Sequence, residues 1–120
     1  KPIALLSFTG RRSGRSYTIP ISYERRGDTV LMLTKRTRSW WRNFEDQPGV
    51  ELRLAGRVFT GTAEAHVGTD QDLDEVAAFL STRPQDAKAY GVARRSDGSL
   101  DPQDIRTHLP RTVVLHVHLA

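Results

Sequence analysis

The chain has 120 residues, 38% of them apolar and 27% charged, and contains no cysteine. That length suits one domain, so residues 1–120 are expected to fold as a single unit around one core. A disulfide framework and thiolate chemistry are excluded, and no apolar run approaches the ~18 residues that a membrane-spanning helix needs.

The net charge of +4 is unevenly divided: residues 1–57 hold twelve Lys/Arg against five Asp/Glu, and residues 58–120 hold six against nine. An anion site is therefore expected in the first half. The absence of both cysteine and a signal-peptide apolar region points to the cytoplasm. The chain opens at Lys1 with a strand-like segment only two residues on, so preceding residues are expected in the natural protein.

Ile3 to Phe8 is an apolar run that reads as a strand, and the glycines and arginines of Thr9-Gly10-Arg11-Arg12-Ser13-Gly14-Arg15 make a cationic turn. Tyr17, Ile19, Ile21 and Tyr23 alternate with Thr18, Ser22 and Glu24, the period-two pattern of a half-buried strand. Pro20 lacks an N–H, which places this strand at an edge, at a bulge or beside a ligand. Gly27-Asp28 marks a hairpin with Thr29 to Thr34 as the return strand. Arg38 to Asp46 has its aromatic residues at helical spacing behind Ser39 as a cap, and Pro48-Gly49 ends it.

Val50 to Ala55 and Val58 to His66 form a second hairpin. Leu73, Val76, Ala77 and Leu80 follow the i, i+3, i+4, i+7 rule and predict a helix over 70–83, capped by Thr69 and stopped by Pro84. Gln85 to His108 is polar, with a helical turn expected near Ala87 to Val92 and a mobile loop after it. Arg111 to Leu119 alternates again and supplies the last strand. Six strands with two consecutive hairpins describe a mainly β fold with flanking helices, an antiparallel barrel rather than a doubly wound sheet.

The first turn brings together backbone N–H groups, hydroxyls and three guanidinium groups, a set suited to phosphate; a solvated hairpin is the bland alternative. It is not a Walker loop and contains no Gly-x-Gly-x-x-Gly. Thr34-Lys35-Arg36-Thr37-Arg38 is a second basic cluster, and the two together suit a long polyanion. Trp40 and Trp41 point ~100° apart on a helix, so one belongs to the core and the other to a rim or a ring system. His66, His108, His116 and His118 have no accompanying carboxylate and no metal site is expected from them. No nucleophile elbow or carboxylate pair is present, so no side chain is expected to act as acid, base or nucleophile and a cofactor carries the chemistry.

Taken together, Leu6 to Arg15, Ile19-Pro20-Ile21, Thr34-Lys35 and Trp40-Trp41-Arg42-Asn43-Phe44, with Pro48 and Val50 following, resemble the deazaflavin (F420)-dependent nitroreductases. The likeness covers roughly residues 3–67. It implies a split β-barrel of the flavin-binding superfamily and reduced coenzyme F420 as hydride donor. By position it gives Arg11, Arg12 and Ser13 to the cofactor's phosphate and tail, and Ile19, Pro20 and Ile21 to the strand flanking its ring. Thr34 and Lys35 become polar contacts, and Trp40, Trp41 and Asn43 the helix beside the tail. Here Arg36-Thr37-Arg38-Ser39 replaces a longer glycine-rich loop, and Tyr17 stands where relatives often carry a basic residue.

The resulting expectation is an F420H2-dependent reductase passing hydride to a small nitro, quinone or enone acceptor, as a monomer or homodimer. An FMN-dependent oxidoreductase and a non-catalytic flavin or F420 binder are the alternatives. The basic loops also suit nucleic acid, but no nucleic-acid-binding module is present, so that partner is not expected.

Overall fold

A computed structural model describes residues 2–120, and the chain divides into two compact units. The first comprises residues up to Thr34, Arg38–His66 and Val114–Ala120; the second comprises Lys35–Thr37 and Val67–Val113. The strands are β1 (Ile3–Thr9), β2 (Ser16–Ser22), β3 (Glu24–Arg26), β4 (Thr29–Lys35), β5 (Gly49–Leu54), β6 (Arg57–Val67) and β7 (Thr112–Leu119). The helices are α1 (Leu73–Ser81), α2 (Pro84–Ala89) and α3 (Pro102–His108). Among the described residues no helix is long and apolar enough to cross a membrane.

The sheet of the first unit is a curled half-barrel with the order β2-β1-β5-β6-β7-β4-β3. Among the described residues seven strands are present where six were expected, because the predicted strand from Tyr17 to Glu24 breaks at Tyr23. Its first part pairs with β1 and its second with β4, at opposite edges of the sheet. Alternation cannot reveal that break, since both parts keep the same period. Pro20 sits on the edge strand β2, opposite Leu5, where its missing N–H costs the ladder nothing on the open side. Val30, Leu31, Met32 and Leu33 are all buried, so β4 is covered on both faces and reads as a continuous apolar run. With Leu6, Leu52, Leu54, Leu115 and Val117 they form the core of this unit.

In the second unit α1 packs on α2 and α3. Val76 and Leu80 are buried as their spacing predicts, while Leu73 and Ala77 are half-buried and Phe79 completes the apolar face. Residues 70–72 form a 3-10 turn before α1, and the Thr69 N–H donates to the Asp72 carboxylate at 2.8 Å. Pro84 begins α2 rather than only ending α1, since a proline at the first helical position gives up an N–H that would be unpaired anyway.

Part of the expected mobile loop is helix α3. Asp101 caps it by accepting the Gln103 N–H at 2.9 Å, and Pro102 opens it. Residues 93–100 are also tied down, the Ala93 N–H to Asp104 at 3.0 Å and Arg94 Nη2 to the Ser81 carbonyl at 2.9 Å.

Leu80 is 1% exposed. Leu80→Ala is expected to cost about 2–5 kcal/mol in chemical denaturation, the range for emptying a packed site. A loss below about 0.5 kcal/mol would place this face of α1 at the surface.

Candidate functional site

The turn after β1 closes on itself: the Gly10 N–H donates to the Arg15 carbonyl at 2.8 Å and the Gly14 N–H to the Gly10 carbonyl at 2.9 Å. Gly14 adopts φ +70°, which favours glycine. Gly10 leaves space, because a Cβ there would stand 2.8 Å from Ser13 Oγ and 2.9 Å from the Tyr17 ring and both side chains would have to shift. The hairpin register pairs Phe8 with Tyr17, and their rings stack with centroids 5.6 Å apart. Phe8 also stacks on Trp40 at 5.7 Å and meets the edge of Phe44 at 5.5 Å.

Trp40 and Phe44 lie on the expected short helix, Trp40–Glu45, which is of the 3-10 type; the Ser39 side chain makes no capping bond. Asn43 joins this helix to the turn. Its Oδ1 accepts the Arg11 N–H at 2.8 Å, and its Nδ2 donates to the Trp40 carbonyl at 2.7 Å. Turn, helix and aromatic stack enclose a cavity of about 660 Å³, within the range of small-molecule and cofactor sites. Its walls are Phe8, Tyr17, Ile19 and Trp40, and its polar rim includes Arg11, Arg12, Ser13, Arg42 and Asn43.

Six of the residues singled out from the sequence therefore come together here: Arg11, Arg12, Ser13, Ile19, Trp40 and Asn43. Their electrostatic roles differ. Arg11 Nη1 lies 3.3 Å from Asp46 and 3.7 Å from Glu45, so its charge is largely answered within the protein. Arg12 is exposed and has no ion pair among the described residues. Ser13 Oγ accepts the Arg15 N–H at 3.2 Å and lies 3.3 Å from the Tyr17 hydroxyl.

The remaining five do not line this cavity. Pro20 is exposed and Ile21 half-buried on β2, opposite Leu5 and Ala4. Thr34 is buried near the end of β4. Lys35 is exposed and lines a different cavity in the second unit. Trp41 is the core member of the tryptophan pair, 7% exposed, with Arg42 stacked on its face at 4.9 Å.

Phe8, Tyr17 and Arg42 line the cavity although sequence reasoning did not assign them to the site. The signal for Tyr17 was its position across a tight hairpin from Phe8; Arg42 lies three residues after Ser39, one helical turn further on.

On the outer face of the sheet, His66 and His116 stack with ring centroids 6.2 Å apart. His118 Nε2 lies 3.0 Å from Glu64 Oε1, so a carboxylate does accompany the histidines. That hydrogen bond holds the Glu64 carboxyl below its ordinary 4.5, with smaller help from the nearby imidazoles. A lowered carboxyl pKa stabilises the fold above the unfolded value and loses that contribution as pH falls through the folded one. The Glu64 side chain is 68% exposed, so solvent screening limits the effect to at most about 1 kcal/mol. Comparing Glu64→Gln with the parent across pH 2 to 7 should show a small loss that disappears in acid.

Asn43→Ala leaves the Arg11 N–H and the Trp40 carbonyl without their partner. It should cost about 1–3 kcal/mol by denaturation, and Asn43→Asp, which keeps the acceptor, should recover part of that.

The family model for F420H(2)-dependent quinone reductase matches residues 1–96. No curated relative matches the chain in sequence. Among solved structures, an F420-H2 dependent reductase, FDR-A, is 20% identical with a TM-score of 0.67, covering 98% of this chain and 95% of its own. The Agrobacterium tumefaciens protein Atu2129 is 19% identical with a TM-score of 0.69, covering 98% of this chain and 48% of its own. This chain thus spans about half the length of that protein. General Stress Protein 26 from Bacillus anthracis is 16% identical with a TM-score of 0.60, covering 99% and 80%. These likenesses show the fold, and the match over residues 1–96 shows the family: the chain belongs to the F420H(2)-dependent quinone reductases, a family of oxidoreductases whose cofactor is coenzyme F420.

Proposed function

We propose that this chain, as a monomer or homodimer, binds reduced coenzyme F420 and passes hydride to a small electrophilic acceptor of the nitro, quinone or enone type. The observation that carries the reading is the first-unit cavity, an aromatic wall beside a turn of backbone amides, a hydroxyl pair and an unpaired guanidinium. These residues fit a flavin-type group. Phe8, Tyr17 and Trp40 offer apolar ring surface, and Gly10 leaves space that a Cβ would fill. Arg12 and Ser13 would hold a phosphate, and Asn43 keeps the turn in place for them. Ile19, Pro20, Ile21, Thr34 and Lys35 retain the roles that the resemblance implies, as part of this proposal.

When bound, the cofactor supplies the hydride. The chain contributes position and fixed positive charge, and no side chain of its own exchanges a proton in this reading. Arg12 is poised for this because no carboxylate competes for it, whereas Arg11 must leave Asp46 and Glu45 to reach an anion.

FMN is the second reading, since one phosphate also suits the turn; the second cluster would then lack a ligand. Arg12→Ala should weaken F420 binding by about 1–3 kcal/mol, the range for a charge-assisted hydrogen bond. F420 has a phosphodiester followed by carboxylates and FMN a single phosphate. Raising ionic strength should therefore weaken F420 more steeply.

Fluorescence titrations of both cofactors, repeated with Lys35→Ala, Arg36→Ala and Arg38→Ala combined, check this. Tighter binding of FMN, or a salt slope for F420 untouched by the triple change, would overturn the deazaflavin reading. Cofactor binding without turnover of quinone, nitro or enone acceptors would leave a carrier rather than a reductase.

A further inference from the structure

The second unit contains a cavity of its own, of about 260 Å³, and of its lining the reductase reading uses Lys35 alone. Backbone pairing builds one wall of it. The Arg36 N–H donates to the Arg111 carbonyl at 2.9 Å, and Arg36 Nη1 donates to the Pro110 carbonyl at 3.2 Å. These bonds hold residues 35–37 against 110–111, so Lys35, Thr37 and Arg111 line one space. Tyr90, Gly91 and His108 complete the lining.

His108 is held in place. Its Nδ1 donates to the Asp104 carbonyl at 2.8 Å, with the Asp104 carboxylate 3.6 Å away. The opposite edge of the ring lies against Gly91, where a Cβ would stand 2.7 Å from Nε2. Gly91 has φ +82°, so both its conformation and this close approach call for glycine.

No carboxylate lines the cavity, and neither Lys35 nor Arg111 has an ion pair among the described residues. Lys35 and Arg111 bring two like charges to one lining, and an anion placed between like charges replaces their repulsion with attraction. The volume lies below the usual ~300–1,000 Å³ of drug-sized ligand sites, which suits a small ion better than a tail-bearing cofactor.

We propose that this cavity binds a small oxyanion, a carboxylate or a phosphate monoester, with Arg111 as its principal contact and Lys35 and His108 beside it. Lys35 also belongs to the proposed cofactor contacts, so the test turns on Arg111.

The experiment is an NMR titration of the cofactor-free protein with inorganic phosphate and, separately, with benzoate, following the His108 imidazole resonances. A saturable shift is expected, and the anion that saturates at lower concentration identifies the oxyanion class. Arg111→Ala should raise the saturation midpoint about tenfold or more, the effect of losing a charge-assisted hydrogen bond. Arg12→Ala, in the other cavity, should leave it unchanged. A shift that never saturates would overturn the proposal, as would one that Arg111→Ala leaves alone or that both variants weaken equally. Titrating the same two variants with F420 separates the two readings, because Arg12→Ala alone is expected to weaken that cofactor.

Discussion

The carboxamide of Asn43 is shared between two stretches of backbone that have no ladder of their own: it accepts from the Arg11 N–H and donates to the Trp40 carbonyl. A six-residue 3-10 helix is weakly self-supporting, because its hydrogen bonds are poorly aligned. A glycine-containing turn is little better, held from within by two backbone bonds and the Arg15 N–H donated to Ser13 Oγ. Joined through one side chain, each supplies a partner that the other lacks. The Phe8, Trp40 and Phe44 rings can then meet, and the cavity between turn and helix follows from that contact. An aspartate can reproduce the accepting half of this joint and an alanine neither half.

Charge in the first half of the sequence looks uniform but is put to three uses. Arg11 and Arg26 answer carboxylates within the protein. Arg25 and Arg57 both lie over the Phe59 ring, at 4.9 and 5.3 Å, and Arg42 lies over Trp41. Guanidinium groups on aromatic faces shield apolar surface and lose little solvation, so they need no anionic ligand. What stays open to a partner includes Arg12 beside the aromatic cavity and Lys35 beside the smaller one, where Arg111 from the second half of the chain joins it. The high pI of about 10.0 therefore overstates the demand for a polyanion.

The sequence made the hairpins, the face of α1 and the edge placement of Pro20 legible because each rests on a local rule: alternation, helical spacing, a missing N–H. Asp101-Pro102 was equally local, an N-cap followed by a proline at the first helical position, yet the polarity of the residues around it concealed α3. Other features lay outside local rules. The break at Tyr23 sends two adjacent strands to opposite edges of the sheet, a decision made by the partners β1 and β4. The pairing of Glu64 with His118 joins residues 54 positions apart in sequence. For the site, six expected residues converge on one cavity, while Lys35 lies in another unit and Trp41 in the core. Composition and motif identify which residue types handle an anion; which of them face a common space depends on long-range register.

The two glycines of the first turn show how one motif encodes two different constraints. Gly14 is needed for its backbone conformation, and nothing lies within 4 Å of where its Cβ would be. Gly10 is needed for its missing atom, since a methyl there would press on the Ser13 hydroxyl and the Tyr17 ring together. Replacing Gly14 would strain the chain and leave the space intact, whereas replacing Gly10 would push apart the hydroxyl pair on the cavity rim. The same division recurs at Gly91, where a positive φ and the nearness of the His108 ring act at one residue. Missing side chains at Gly10 and Gly91 thus let lining residues of both cavities stand close to the backbone.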